Sequence, residues 1–596
     1  MLKNKLILFL AVICVSCSKD NDISTQSTQT TSAMAEANMV SDRMSNVFLE
    51  ASTVKEMSTH IEDIKAMEEV ETAWAESDCV YARLKNGLTV GWFFPMKESP
   101  SETMARTTRM AVLDSILVTS ATRAPSDGAP NHSAAMKVCI INQTCNDIRH
   151  KEATEYLKGT ATTFRNYGYE VDEKNGADFN LTFIREEMAN YNLVLLHTHG
   201  AYTTLWESIE SIFHDPNVHW IFTGQEPTKL DIAEEDKKNT YIVNHKEIDD
   251  KGREIEHRYV GVSELWLKSN LGKFPDQSML FASVCHSMEG HDGLWEAFQA
   301  NNLGCFFGFD NTVPEEWGTM KSFDMLASLM VLGSTVKGAH SLLDDKYKKH
   351  NFYYNEETHE VTTANIDDGD ARHVELEVRY RDSKYDMSIC DAVDLGLSVM
   401  WGTRNLGAKT PFELGNFYKW GITEPIGENE KQDYNYTLDF SNGEYYDISG
   451  NSLHDPATKE LGEGWRLPTM GEIVELVNLT QSYSAQSGKM AFYDEWVSGS
   501  MGGQLIISSV KYAEGKSACI FLPYYWNSSG HYMSGWLIPD SELEAWELMY
   551  MDPLSYQYTL NVGIPGTTGE RGKISTSHVQ RSWKCSVRPV YGKKKL

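Results

Sequence analysis

The sequence predicts a multidomain chain: a central α/β domain with a mostly parallel sheet, a small α+β unit before it and a β-rich domain after it. Three observations predict this. Between residues 136 and 345, apolar runs at 138–141, 193–196, 279–284 and 305–309 alternate with stretches of helical period. Uninterrupted apolar strands of that kind are covered on both faces, as in parallel sheets. Before them, two alternating runs flank Lys85-Asn86-Gly87, a hairpin signal. After about 391, Gly, Trp and Tyr become frequent and turns dense. A length of 596 residues fits two to four such units.

Composition narrows the function classes. The formal net charge is −30, a field that disfavours nucleic acid and anionic membrane surfaces as partners. Apart from Cys14 and Cys17 in the leader, the ten cysteines form no CxxC pair, which argues against a zinc ribbon or a thioredoxin-like site. Cys390 and Cys585 bracket the last domain, where a disulfide would staple its ends.

In chain order, residues 1–17 are an address. Lys3 and Lys5 precede an apolar run from Leu6 to Val15, which has signal-peptide proportions and is too short for a membrane span. Val15-Ser16-Cys17 and the polar Ser18-Lys19-Asp20-Asn21-Asp22 resemble a bacterial lipoprotein cleavage site, and the SCSKD run resembles the leaders of Bacteroidetes lipoproteins. That resemblance implies a mature chain lipidated at Cys17, exported and displayed on the outer membrane, with the lipid as its sole membrane contact. Residues 18–45, rich in Ser, Thr, Gln and Ala, read as a flexible tether. Residues 46–95 form the small α+β unit, with Met57, Ile61, Ile64 and Met67 at helical spacing; a pro-region, an inhibitory cap and a spacer are all open for it. Residues 96–135 are the expected linker, ending in Arg123-Ala124-Pro125-Ser126-Asp127-Gly128. The α/β domain covers 136–345, a connector 346–390 and the β-rich domain 391–592.

Two runs carry reactive residues just past a hydrophobic strand: 193–196 followed by His197-Thr198-His199-Gly200, and 279–284 followed by Cys285-His286-Ser287. In open parallel sheets the carboxyl edge of the strands is where ligands gather. A histidine and a cysteine at the ends of neighbouring strands provide a nucleophile and its base. Gly200 leaves a bare backbone N–H that, with the Cys285 amide, suits an oxyanion hole.

This pairing resembles the clan of cysteine peptidases that includes caspases, gingipains, clostripain and legumain. The resemblance covers roughly 200 residues. It implies a caspase-like fold and a peptide or protein substrate, with His199 and Cys285 catalytic, Gly200 and Cys285 donating to the oxyanion, and no metal or other cofactor. Ser283, His286 and Asp310 are candidates for the substrate pocket. Glu289 and Asp292 stand nearby, either as partners for a Lys or Arg of the substrate or as surface charge. The sequence departs from the family pattern at Val284 and Ser283, and at the 86 residues from 199 to 285. The extra residues, 205–265, read as a polar surface loop over the cleft. A zinc enzyme is the metal alternative, with His197, His199, His286 and His291 as donors.

The last domain carries Asp394-Leu395-Gly396-Leu397, Asn405-Leu406-Gly407-Ala408, Gly415-Asn416-Phe417-Tyr418, Gly464-Trp465-Arg466-Leu467-Pro468 and Ser586-Val587-Arg588-Pro589. This series resembles the Fibrobacter succinogenes major paralogous domain and implies a C-type-lectin-like fold. Tyr524, Tyr525, Trp526 and Trp536 are candidates for stacking on a glycan or meeting a surface protein, or else for filling the core. The expected function is therefore a surface-anchored cysteine endopeptidase. The alternative is a non-catalytic adhesin, or a glycan- or protein-binding lipoprotein, that keeps the fold as scaffold.

Overall fold

The computed structural model describes residues 20–48, 54–76, 79–93, 97–98, 137–166, 169–204, 217–227, 232, 234–327, 329, 333–342, 349–355, 360–364, 369, 371–386, 388, 391–427, 447–485, 501–509, 519–525, 530–537, 556–562, 574–580 and 584–594. The leader with Cys17, the 96–135 linker apart from residues 97–98, and Cys390 lie outside them.

The chain begins with α1 (Asp20–Val47), α2 (Val54–Ser58) and α3 (Ile61–Lys65), then β1 (Val70–Glu76), β2 (Cys79–Leu84), β3 (Thr89–Phe93) and β4 (Lys97–Glu98). The expected hairpin forms: β2 and β3 pair antiparallel, and Gly87 takes φ +92° at the turn. The tether expectation is corrected, because α1 is a packed helix. Met34, Ala37, Met44 and Phe48, spaced three to seven apart, line one face and enter a core with Val80, Val90 and Trp92. The Ser41 hydroxyl on the same face donates to Asn244 Oδ1 at 2.6 Å. Small apolar residues diluted in Ser, Thr and Gln hide such a stripe until a partner surface is known.

The next elements are β5 (Lys137–Asn142), α4 (Lys151–Asn166), β6 (Glu170–Asn175), α5 (Leu181–Glu186), β7 (Leu193–His197), β8 (Gly200–Thr204), β9 (Asn217–Phe222), β10 (Thr240–Ile248), β11 (Glu254–Ser263), α6 (Glu264–Asn270), β12 (Met279–Ser283), α7 (Gly293–Ala300), β13 (Cys305–Phe309), α8 (Glu315–Ala327), α9 (Val336–Leu342), β14 (Lys349–Tyr354), β15 (Glu360–Thr363) and β16 (Arg372–Tyr380). Among the described residues they build two sheets. The larger has nine strands in the order β4-β15-β14-β16-β13-β12-β7-β5-β6. Its β6-β5-β7-β12-β13 half is parallel, the order of a doubly wound α/β sheet. Val138, Ile140, Leu195 and Phe281 face one core and Ile141, Val194, Leu196 and Leu280 the other, so both faces are covered.

Two further expectations are corrected. Residues 346–390 are more than a connector: β14 to β16 extend the large sheet, with β16 antiparallel along β13. The alternation of Val374, Leu376 and Val378 with charged neighbours carried that signal. The described residues of 205–265 are largely strand. β9, β10 and β11 join β8 and the N-terminal hairpin in a seven-stranded sheet, β1-β2-β3-β10-β11-β9-β8. The charges at 234–238 masked the buried Tyr241, Ile242 and Val243 that follow. The 46–95 unit is therefore completed by strands from far along the chain, since β3 pairs parallel with β10.

Beyond 391 the described residues are β-rich, with helices at Pro456–Leu461 and Met470–Leu479. The second carries a capping box between Thr469 and Glu472. Trp401 and Trp420 are fully buried in two small cores. The unit touches the α/β domain through the Thr335 amide, which donates to Lys409 O at 2.7 Å.

Candidate active site

β7 and β12 are parallel neighbours in register, with His197 opposite Ser283. His197 Nδ1 and Ser283 Oγ are 3.1 Å apart. His199 and Cys285 each follow two residues later, so the two backbones leave the sheet at one level on its carboxyl edge. Beyond Thr198 the chain crosses to the second sheet as β8, where the Phe222 amide donates to His199 O at 3.1 Å. Antiparallel ladders alternate bonded and non-bonded pairs. The next pair, Gly200 and Ile221, is then non-bonded, and the Gly200 N–H points away from β9. Gly200 lies against the nucleophile segment: a Cβ there would stand 2.3 Å from Val284 Cγ1 and 2.7 Å from Cys285 O.

Cys285 is partly buried against the core that holds Phe281 and Phe309. The Val313 amide donates to its Sγ at 3.4 Å, and the thiol faces Val313 O at 3.6 Å. His286, immediately after, has φ +59°, a conformation rare outside glycine. Its amide donates to Asn311 O, and its ring meets Glu289 and Thr312 Oγ1.

His199 is buried among aromatic rings. Phe93 of the N-terminal hairpin lies 5.1 Å away, His245 of β10 4.8 Å and His150 5.5 Å, centroid to centroid. Burial, reinforced by repulsion from His245, His150 and His197, holds its pKa well below the usual histidine value. Burial alone pulls His197 down to about 4. Behind them, Asp147 is ion-paired with Arg149 and lies 3.7 Å from His150 Nε2 and 3.9 Å from His245 Nε2. Burial pushes the Asp147 carboxyl up, but the neighbouring His245, Arg149 and His150 together outweigh it and the net direction is down.

The remaining candidates serve the scaffold. Ser283 is buried on His197, and a Cβ on Gly318 of α8 would come within 2.9 Å of its hydroxyl. Asp310 Oδ1 accepts the Glu375 amide at 2.6 Å, joining β13 to β16, and burial raises its pKa. Asp292 pairs with Arg379 and Glu289 with His286. The structure divides the donors of the zinc alternative: His197 and His199 stand with His150 and His245, His286 with Glu289, and His291 with Glu264. Side chains of Tyr524, Tyr525, Trp526 and Trp536 lie outside the described residues.

Sequence reasoning missed His150, His245 and Asp147. His150 and Asp147 follow β5 at the switch point between β5 and β7, a position the strand-end rule would have flagged. His245 lies 46 positions beyond His199 on a strand of another sheet, and had no local signal. Comparison of the chain with protein-family models and with curated proteins finds no match.

Proposed function

We propose that the chain is a surface-anchored cysteine endopeptidase with a caspase-like central domain. The carrying observation is that His199 and Cys285 follow paired residues of adjacent parallel strands by the same two positions, beside a glycine whose amide is off the ladder. In this reading a neutral His199 takes the Cys285 proton as sulfur attacks the scissile carbonyl. The Gly200 and Cys285 amides stabilise the oxyanion. His199 then protonates the departing amine, and water activated by the same ring hydrolyses the thioester. Burial keeps the His199 ring neutral near pH 7, the form that can accept the thiol proton. The leader residues support lipid anchoring at Cys17, and the motif series beyond 391 supports a C-type-lectin-like module that binds a glycan or a surface protein.

The test is a positional-scanning peptide library on the purified protein, alongside Cys285→Ala and His199→Ala. Cleavage by wild type that is lost in both variants is expected. Equal cleavage by wild type and Cys285→Ala, or none by any form across the library, overturns the proposal.

A further inference from the structure

We infer that His219, Glu264 and His291 form a binding site for a divalent transition-metal cation of the zinc type. The cation would fasten the loop after Cys285 to β9 and α6. These three side chains place ligand atoms within 4.8 Å of one another. They come from β9, the first turn of α6 and the 286–292 loop, so only the tertiary fold assembles them.

The hydrogen-bond pattern argues for a cation. His219 Nε2 lies 3.0 Å from Glu289 O, which can only accept, so in a neutral ring that nitrogen carries the proton. Nδ1 is then a lone pair, yet it faces Glu264 Oε2 at 2.5 Å. Two acceptors oppose each other there unless a proton or a metal ion lies between them. The His219 side chain is 1% exposed and Glu264 8%, so the buried carboxylate needs a positive partner. A histidine that ligates metal commonly gives its other N–H to a backbone carbonyl, as His219 does.

His291 can join the site, because the Tyr202 hydroxyl can accept an Nδ1–H and leave Nε2 as a lone pair. Its Nδ1 meets Tyr202 Oη at 3.1 Å, and its Nε2 is directed to Glu264 Oε1 at 3.0 Å. Two imidazoles and a carboxylate suit zinc and its neighbours, not calcium or magnesium. Tetrahedral zinc separates its ligands by about 3.3 Å at ordinary bond lengths, so the 2.5 Å His219–Glu264 and 3.0 Å His291–Glu264 contacts must each open, within a trio whose ligand atoms lie no more than 4.8 Å apart. The backbone is cut to fit: a Cβ on Gly293 would strike the Glu264 carboxylate at 2.2 Å, and one on Gly290, at φ +68°, would strike Tyr202 Oη at 2.2 Å. The His291 side chain is 34% exposed, which gives the ion an entry path and a position for water. With Glu289 O on one ligand and His291 itself a ligand, the loop is held at two points close behind Cys285. The inference stands whether or not Cys285 is a nucleophile.

The experiment uses the full chain carrying Cys285→Ala, which removes the neighbouring thiol and any peptidase activity from the readout. Chelator-stripped protein is titrated with Zn²⁺ by calorimetry and with Co²⁺ by visible absorption, beside Glu264→Gln and His291→Ala made in the same background. One equivalent of Zn²⁺ is expected, with a Co²⁺ ligand-field band, a Zn²⁺-dependent rise in Tm, and affinity at least about a hundredfold weaker in each variant, since loss of a direct ligand exceeds the 10–100-fold cost of an outer partner. His291→Ala, at the exposed end, keeps the test informative should Glu264→Gln unfold. Folded protein that binds neither ion, or binds both as well in His291→Ala, would leave a hydrogen-bonded His–Glu–His triad only and overturn the site.

Discussion

A Cβ added to Gly200 would lie 2.7 Å from the carbonyl oxygen of Cys285. The residue after the candidate base and the candidate nucleophile are thus in backbone contact. Gly200→Ala would also meet Val284 Cγ1 at 2.3 Å and Trp220 O at 3.1 Å. The segments must separate, carrying the Gly200 amide with them. Peptide hydrolysis is predicted to fall by about 10²–10³ in kcat, the usual effect of losing one oxyanion donor. Steady-state kinetics with near-normal circular dichroism would show it. Undiminished kcat would remove Gly200 from the oxyanion hole.

The pH profile should report His199. Burial holds its imidazole well below the ordinary histidine value, so the neutral base persists on the acid side of pH 6.5 and kcat/KM falls only as pH drops through that lowered pKa. Phe93→Ala uncovers one side of the ring. Its predicted consequence is an acid limb displaced upward toward pH 6.5. An acid limb that stays where wild type has it would mean that Phe93 does not desolvate the base.

Stability should fall in acid for the same reason. His197 is near 4 when folded and near 6.5 when unfolded, so between these values the unfolded chain binds more protons and stability rises with pH. The contribution is fully present above pH 6.5 and is lost as pH falls toward 4, roughly 3 kcal/mol for this one group. Denaturant titrations at pH 7 and pH 4.5 are expected to differ less in His197→Gln than in wild type. Equal pH dependence in the two would refute the assignment.

The C-terminal unit depends on a buried ion pair. Arg466 donates to Glu472 at 2.8 and 2.5 Å, and Glu472 is fully buried within a capping box. Glu472→Gln leaves the guanidinium without its counter-charge, a change that typically costs 3–5 kcal/mol. Calorimetry should show a destabilised transition for this unit while peptide hydrolysis persists. A calorimetric trace identical to wild type would contradict the importance of the pair.

Local pattern made much of the central sheet legible. The runs at 138–141, 193–196, 279–284 and 305–309 became β5, β7, β12 and β13 because a strand buried on both faces must be apolar throughout. Asn86-Gly87 announced the hairpin, because few other dipeptides accept its positive φ. α1 escaped because its apolar residues are spread among polar ones and gain meaning only against a surface supplied from elsewhere, and β10 because the charged run at 234–238 precedes its apolar residues.

By itself the sequence determined which residues stand at strand ends: His199, Gly200 and Cys285 follow short, unmistakable apolar runs, and strand length fixes where reactive groups emerge. Tertiary structure decided what surrounds them. Phe93 and His245 reach His199 from a second sheet, and His219, Glu264 and His291 meet from three separate elements. Desolvation and ligand geometry depend on distances between segments remote in sequence, and no local periodicity encodes those distances.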